Sequence, residues 1–312
     1  DAVGGVVNFV LRRDFEGAET SVRYGGANDS DLRQGGVSQL LGLTWDTGQA
    51  VATADFFSAS ALNASDRDFA ASVAPGTLTP HDARQSLFGS VQQELGARFS
   101  LEVDAGLSAR DVKSSSTNRT STAITSQNSF LYRSETEQAF LNISLDAEIT
   151  DGLTASMYAS YAEIDVDSAT RQTRLSNGTS VLLARDTNYA VGDLTAKLDG
   201  DLIELPGGAV RFSAGAGLMD EDFVAAVTVS GPVSGRELGR RTSYVFGELF
   251  VPLIAPEQNV PFVDRLELED QAKKSFAAVL SADFQTVIYK ENRDDWRRAE
   301  IVVTTVQSLL FN

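Results

Sequence analysis

Paired carboxylates are the residues of this sequence whose type and spacing come nearest to chemistry. Glu102 and Asp104, and again Asp146 and Glu148, are two residues apart, a spacing that places both carboxylates on one face of a strand. Such a pair is compatible with glycoside hydrolysis or with calcium binding. Ordinary solvated polarity on a water-facing strand explains the same spacing, and we favour that interpretation over catalysis.

Few other residues offer reactive groups. The chain has no cysteine and a single histidine, His81. Cysteine metal sites, thiolate nucleophiles and disulfides are therefore excluded, and a Ser-His-Asp triad or a histidine-rich metal site has little to draw on. We expect His81, in a loop beside Pro80, to be an ordinary exposed side chain. The sequence predicts no catalytic residue, no metal site, no cofactor and no enzyme activity.

Composition narrows the function classes further. The 312 residues include 26 Lys and Arg against 43 Asp and Glu, a net charge of −17. This balance argues against a nucleic-acid partner, because phosphate binding needs basic clusters. With 42% hydrophobic residues the chain is expected to fold. No apolar run approaches the roughly 20 residues of a membrane-spanning helix, but alternating membrane strands are compatible with this hydropathy.

The dominant pattern is the alternation of apolar and polar residues, which is typical of strands. From Leu101 to Ala109, apolar residues occupy every second position. The sequence predicts about eleven strands after the opening segment. They cover residues 18–26, 37–45, 50–60, 86–95, 99–113, 137–149, 153–166, 187–203, 209–224, 239–253 and 263–269.

The connections between these strands alternate in length. Tight turns are predicted at 46–49, 96–98, 150–152 and 205–208, and long loops at 27–34, 61–84, 114–128, 167–186 and 225–238. A strand of fourteen residues is about 46 Å long, enough to cross a bilayer when tilted. Long strands with short turns at one end and long loops at the other favour an all-β, antiparallel, up-and-down transmembrane β-barrel over a Greek-key sandwich, which mixes connection lengths.

Alternation also assigns side chains to the two faces of the sheet. Because a cation on the lipid face is costly, Lys197 and Arg211 are predicted to face the lumen. The carboxylates predicted to share that face are Glu102, Asp104, Asp146, Glu148 and Asp199. Aromatic residues near strand ends are predicted to form interfacial girdles; they are Trp45, Phe99, Tyr161, Tyr189 and Phe250. Packing in a soluble core is the alternative for these rings.

Loop residues that mix charge with apolar surface are the candidates for ligand contact, by location alone. They are Arg67, Asp68, Phe69, Arg119, Arg171 and Arg174.

Two segments carry a family resemblance. The opening segment Gly4-Gly5-Val6-Val7-Asn8-Phe9-Val10, ending at Arg12-Arg13, closely resembles the end of the plug domain of TonB-dependent outer-membrane receptors. Tyr244-Val245-Phe246-Gly247-Glu248-Leu249-Phe250-Val251-Pro252-Leu253, followed by Leu266-Glu267-Leu268-Glu269, resembles strands near the middle of that family's barrel.

The resemblance implies a fragment with three parts. Residues 1–16 would be a remnant plug strand, residues 17–269 about half of a 22-stranded barrel with short periplasmic turns and long extracellular loops, and residues 270–312 a divergent tail of uncertain structure. The implied location is the bacterial outer membrane, in contact with its lipid. The implied function is energised import of a scarce ligand such as a ferric siderophore, cobalamin or a saccharide, with the TonB complex acting through a missing N-terminal region.

Two alternatives remain open at this stage. A passive porin-like or structural barrel would lack the plug and the energy coupling. A soluble secreted β-sheet enzyme would use an acidic cleft and would not fractionate with membranes.

Overall fold

The computed structural model describes residues 15–118, 128–230, 233–254, 258, 266–271, 286–288 and 301–303. Within them the chain is an all-β protein whose main element is one antiparallel sheet of eleven strands. The strands in chain order are β1 (Gly17–Gly26), β2 (Arg33–Trp45), β3 (Gly48–Ala59), β4 (Leu62–Asn63), β5 (Thr77–Thr79), β6 (His81–Glu94), β7 (Phe99–Asn118), β8 (Asn128–Thr150), β9 (Leu153–Arg174), β10 (Ser180–Leu205), β11 (Gly208–Val229), β12 (Val233–Ile254), β13 (Leu266–Gln271), β14 (Thr286–Ile288) and β15 (Ile301–Val303).

The main sheet is an up-and-down meander. Its order is β1-β2-β3-β6-β7-β8-β9-β10-β11-β12-β13, so each strand pairs with its neighbours in sequence once the short β4–β5 hairpin is set aside. The register is continuous over long stretches; for example, all twenty residues of β7 pair with β8, from Phe99 opposite Ala147 to Asn118 opposite Asn128. Strands of 20 to 26 residues, as in β7 to β12, far exceed the usual five or six.

The two faces of the sheet have opposite chemistry. We call the face that carries Leu107, Leu194 and Leu218 the apolar face, and the face that carries Arg84 and Glu221 the polar face; the register places each set on one side. The leucines of the apolar face are exposed, at 59% for Leu107 and 54% for Leu218. Their polar-face neighbours on β10 to β12 are instead mostly half-buried. The burial is therefore inverted relative to a soluble protein, in which the apolar face is covered.

Buried apolar packing is sparse in the described part of the chain. The buried hydrophobic residues there are Ala64, Ala70, Ala147 and Val210. The first two belong to a compact segment between β3 and β6, made of β4, two short 3-10 helices (Ala64–Asp66 and Asp68–Val73) and β5. This β4–β5 segment is fastened to β7, because Thr77 Oγ1 donates to the carbonyl of Ser115 at 3.3 Å and accepts from its amide at 3.1 Å.

The eleven predicted strands and the tight turns are confirmed, but two of the long loops were predicted wrongly. Residues 167–186 and 225–238 are largely the paired ends of β9, β10, β11 and β12. The alternation of apolar residues stops there, whereas backbone hydrogen bonding continues. His81 likewise begins β6, half-buried, instead of lying in an exposed loop.

The ends of the chain are described only in part. The plug segment was predicted at residues 1–16, of which residues 1–14 lie outside the described residues. β13 pairs with β12 up to Gln271, close to the predicted end of the barrel at residue 269. β14 and β15 form a separate parallel pair. The division into three parts stays a prediction. No helix in the described ranges has the length and hydropathy needed to cross a membrane.

Candidate functional site

Three arginines lie side by side on the polar face near the loop end of the sheet. The register aligns Arg23, Gly36, Phe57, Arg84, Arg110 and Thr136 in one row across six strands, β1 to β3 and β6 to β8. We call Arg23, Arg84 and Arg110, together with Phe57 between them, the arginine row. These residues are far apart in sequence and meet only because the hairpins fix the register. The row is a local cationic surface in a chain of net charge −17.

Phe57 organises two of the three guanidinium groups. The Cζ atoms of Arg23 and Arg84 lie 5.0 Å and 4.5 Å from the centroid of its ring, within the range of cation–π attraction. Arg23 reaches Phe57 by crossing β2 at Gly36, where a Cβ atom would come within 2.7 Å of Arg23 Nε. A glycine at this position therefore allows the arginine side chain to lie across the strand.

The third arginine is held by a carboxylate. Arg110 donates from Nε and Nη2 to the two carboxylate oxygens of Asp82, each at 3.0 Å. This hydrogen bond from Arg110 holds the pKa of Asp82, at the loop end of β6, below its ordinary value. Arg23 has a looser partner, with Nη2 at 3.6 Å from Asp55 Oδ2. Arg84 has no ion pair with any residue that the structure describes.

A second polar cluster lies on the same face of β10 to β12, and we call it the tyrosine network. Glu221 accepts a hydrogen bond from the Tyr189 hydroxyl at 2.9 Å and one from Arg240 Nε at 2.6 Å. Nearby, Asp193 accepts from Thr195 at 2.9 Å and from the Tyr244 hydroxyl at 3.0 Å. Every charged group named in this network has a partner inside the network.

The carboxylate pairs lie lower on the polar face, toward the tight turns. Asp146 accepts hydrogen bonds from Ser156 at 2.5 Å and from Ser144 at 3.4 Å, and Lys197 Nζ lies 2.9 Å from Asp199. A cleft of about 490 Å³ on β9 to β12 is lined in part by Asp199, Arg211 and Phe250. Among the described residues, no group of three or more potential ligands is placed to hold a metal ion.

The predicted face assignments are confirmed for the charged residues but not for all aromatics. The register places Lys197, Arg211 and the five predicted carboxylates on the polar face. Tyr189 and Phe250 lie on that face too, so their assignment to a lipid-facing girdle was wrong. Tyr189 belongs to the tyrosine network, and the Phe250 ring supports Arg211 with its Cζ at 4.8 Å. These two residues were assigned from their position near a strand end. The face of a residue is instead given by whether its number is odd or even along the strand, because alternate side chains point to opposite faces.

The predicted ligand-contact residues of the first long loop fall in the β4–β5 segment. Arg67 donates to the carbonyl oxygens of Asp29 at 3.0 Å and Asn28 at 3.3 Å, so it fastens the segment to the β1–β2 connection. Asp68 begins the second 3-10 helix, and Phe69 beside it is 83% exposed. The three residues are consecutive in the chain, and the aromatic ring lies exposed on the first turn of the 3-10 helix.

The other predicted contact residues lie apart. Arg171 and Arg174 belong to the end of β9 and not to a loop. Arg119 is outside the described residues. None of the six belongs to the arginine row, which sequence reasoning missed; their role in ligand contact stays a prediction.

The apolar face ends in an oblique line of charged residues. Its first charged residue toward the loop end is Asp111 on β7, Glu137 on β8, Glu163 on β9, Asp220 on β11 and Arg241 on β12. Glu137 is opposite Ala109 and therefore lies two residues nearer the tight turns than Asp111. Glu163 is opposite Ala139 and lies two residues nearer the tight turns than Glu137. Asp220 is level with Tyr161, two residues nearer the tight turns than Glu163, and is directly opposite Arg241. β10 departs from the line, because its residue opposite Glu163 is Ala190 and its first charged residue on this face, Asp186, is level with Asp111.

No family model and no curated protein matches this chain. Among solved structures, the siderophore receptor PiuA from Acinetobacter baumannii aligns with 76% of this chain at 13% sequence identity and a TM-score of 0.43. The chain spans 43% of that receptor's length. At this level of similarity the function has to be argued from the geometry of the chain itself.

Proposed function

We propose that this chain is part of the wall of a bacterial outer-membrane β-barrel of the receptor type, with the apolar face against lipid and the polar face lining an aqueous interior. The observation that carries the proposal is the oblique charged line that ends the apolar face. A plane such as a membrane surface cuts tilted strands at successively shifted positions. An untilted sheet, or a sheet packed in a soluble core, gives no reason for such a shift.

The slope of that line fits a membrane wall. The shift from Asp111 to Arg241 is about six residues over five strand steps, roughly 20 Å along the strands for about 24 Å across them. The corresponding tilt is about 40°, within the 35–45° typical of outer-membrane barrels. Apolar residues of this face run from Leu153 to Tyr161 on β9 and from Val210 to Leu218 on β11. Nine residues at that tilt span about 20 Å, close to the apolar band of such barrels.

The receptor assignment rests on different support. The opening segment and the β12–β13 motifs resemble TonB-dependent receptors, which implies energised import of a small ligand such as a ferric siderophore, cobalamin or a saccharide. Closure of the wall also requires partners for the outer edges of β1 and β13, because unpaired backbone groups are costly in hydrocarbon. We therefore propose that further strands complete the barrel. On the basis of the resemblance, we also propose that a plug occupies the barrel and that TonB supplies the energy.

The absence of cysteine makes the wall assignment directly testable. Leu107→Cys and Ser108→Cys place single thiols on opposite faces of β7. With the complete barrel that contains this chain reconstituted in phospholipid vesicles, and with any cysteine outside this chain replaced, we expect a water-soluble maleimide to label the Ser108→Cys protein and to label the Leu107→Cys protein much more slowly. A fluorophore at residue 107 should in turn be quenched by lipid-borne quenchers. Equal labelling of both thiols would contradict the proposal.

Energy coupling needs a separate measurement. Ligand uptake by cells that express the complete receptor should require a functional TonB complex. Uptake that is unchanged without TonB would favour a passive channel with the same wall.

A further inference from the structure

We infer that the arginine row is a binding site for a small anion that carries two or more carboxylate or phosphate groups. The inference deepens the proposed function and rests on the polar face lining an aqueous interior. It names a site that the sequence did not indicate, since Arg23, Arg84 and Arg110 are not neighbours in the chain.

Contacts within the protein position two of the three guanidinium groups of the site. Phe57 is half-buried, and its ring is contacted by the guanidinium groups of Arg23 and Arg84. Because both Cζ atoms lie within 5.0 Å of the same ring centroid, the two guanidinium groups are held near each other. Gly36 leaves the space in which the Arg23 side chain crosses β2. Holding long cationic side chains in place before binding reduces the conformational entropy that a ligand would otherwise have to offset.

The hydrogen-bonding capacity of the row is not used up inside the protein. A guanidinium has five N–H donors in a planar fork that matches a carboxylate or a phosphate. Arg84 is exposed and has no ion pair among the described residues, and Arg23 is separated from Asp55 by 3.6 Å. Arg110 uses Nε and Nη2 for Asp82, which leaves Nη1. Arg84 is therefore the primary anchor for an incoming oxyanion.

The spacing of the row favours a ligand with more than one anionic group. Arg84 is directly opposite Arg110 on the adjacent strand, and neighbouring strands are about 4.8 Å apart. When one oxyanion binds Arg84, Arg110 on one side and Arg23 on the other can still reach a second oxyanion of the same ligand. A single small anion would satisfy only one of these groups.

Charge on the rest of the chain makes the row selective. The net charge of −17 repels anions in general, so an anion is retained only where cations are concentrated. The row offers three cations against Asp55 and Asp82. Binding is expected to weaken as salt is added, because the site is open to solvent.

Titration calorimetry on the complete barrel that contains this chain, in detergent micelles, tests the inference, with citrate and inorganic pyrophosphate as probes at low ionic strength. We expect at least one probe to bind. Arg84→Gln should weaken that binding tenfold or more, because a hydrogen-bonded charge partner is lost. Arg84→Lys should weaken it less, because it keeps the charge but not the fork. Citrate alone indicates planar carboxylates and pyrophosphate alone indicates phosphates, and either supports the site.

The matched control is Arg241→Gln, which removes an exposed arginine from the opposite face. It should leave binding unchanged. The inference is overturned if neither probe binds, if Arg84→Gln binds as tightly as the unmodified chain, or if Arg241→Gln loses as much affinity. The unfolding temperature of each variant without ligand separates loss of the site from loss of the fold. The cysteine-labelling experiment is independent, so failure here leaves the wall assignment intact.

Discussion

The arginine row and the tyrosine network occupy the same face of one sheet but handle charge in opposite ways. In the tyrosine network, Glu221 is bonded to both Tyr189 and Arg240, and Asp193 is bonded to Tyr244. In the arginine row, Arg84 rests on an aromatic ring and has no carboxylate partner in the described residues. Polar groups on this face are therefore of two kinds: those already bonded across the strands and those available to a ligand.

Glycine serves both clusters, but for different ends. Gly36 lets Arg23 pass over β2 toward Phe57, and Gly217 lets the Tyr244 ring lie over β11 toward Asp193 on β10. In the first case the crossing side chain ends in a guanidinium group that is available to a ligand. In the second it ends in a closed hydrogen bond. We therefore expect substitutions in the tyrosine network to act mainly on stability and substitutions in the arginine row to act mainly on anion binding.

The largest expected effect on stability is that of Gly217→Val. A Cβ atom at this position would collide with the Tyr244 ring, so the ring must leave its place and its hydrogen bond. We expect a loss of about 1–3 kcal/mol in the free energy of unfolding, measured by urea titration of the complete barrel in lipid vesicles. Gly192→Val on β10 is the control, because the nearest atom there lies 3.9 Å from the added Cβ. Equal losses would mean that strand glycines matter regardless of the cluster.

A smaller loss is expected for Glu221→Gln. The amide oxygen still accepts from Tyr189, but the ion pair with Arg240 is removed, and the carboxylate side chain is only 16% exposed. We expect a decrease of about 0.5–1.5 kcal/mol in the free energy of unfolding. Citrate or pyrophosphate affinity should stay within twofold of the unmodified chain. A large change in affinity would show that the two clusters are coupled and do not act separately.

The tyrosine network and the strands that hold it could be predicted in outline from sequence. Alternation located β10 and β11, and the turn after Leu205 gave their pairing, because a tight turn fixes the register. Parity along β10 alone would have placed Tyr189 with Asp193 on the polar face. The error for Tyr189 came from weighing its position near a strand end above its parity.

The arginine row was harder to find, for a physical reason. Arg84 and Arg110 are brought together by one hairpin, and counting outward from the turn at 95–98 would align them. Phe57 joins them through the register of β3 with β6, which spans the β4–β5 segment, and the length of that segment carries no register information. Arg23 joins through two more registers, β2 with β3 and β1 with β2. The paired ends of β9 to β12 were not predicted because, beyond the charged line, apolar and polar residues no longer alternate regularly.

The pH dependence of stability probes the one closed pair of the arginine row. Because hydrogen bonding from Arg110 lowers the pKa of Asp82, this carboxylate stabilises the fold at pH values above its ordinary pKa. That contribution is lost as pH falls through the lowered value. Asp82→Asn should therefore reduce stability at neutral pH by less than about 1 kcal/mol and flatten its decline in acid. Arg110→Gln should do the same, and the double variant should add little. Additive effects would contradict the pairing.

The smallest expected change in stability, and the sharpest test of the contrast, belongs to Asp55→Asn. Its carboxylate lies 3.6 Å from Arg23 and on the edge of the row, so its removal should change the free energy of unfolding by less than about 0.5 kcal/mol. If the row is open to ligands, Asp55 competes with an incoming anion for Arg23, and its removal should raise citrate or pyrophosphate affinity by about twofold in calorimetry. A fall in affinity would instead show that Asp55 positions Arg23, as Glu221 positions Arg240, and the row would then be a second closed network.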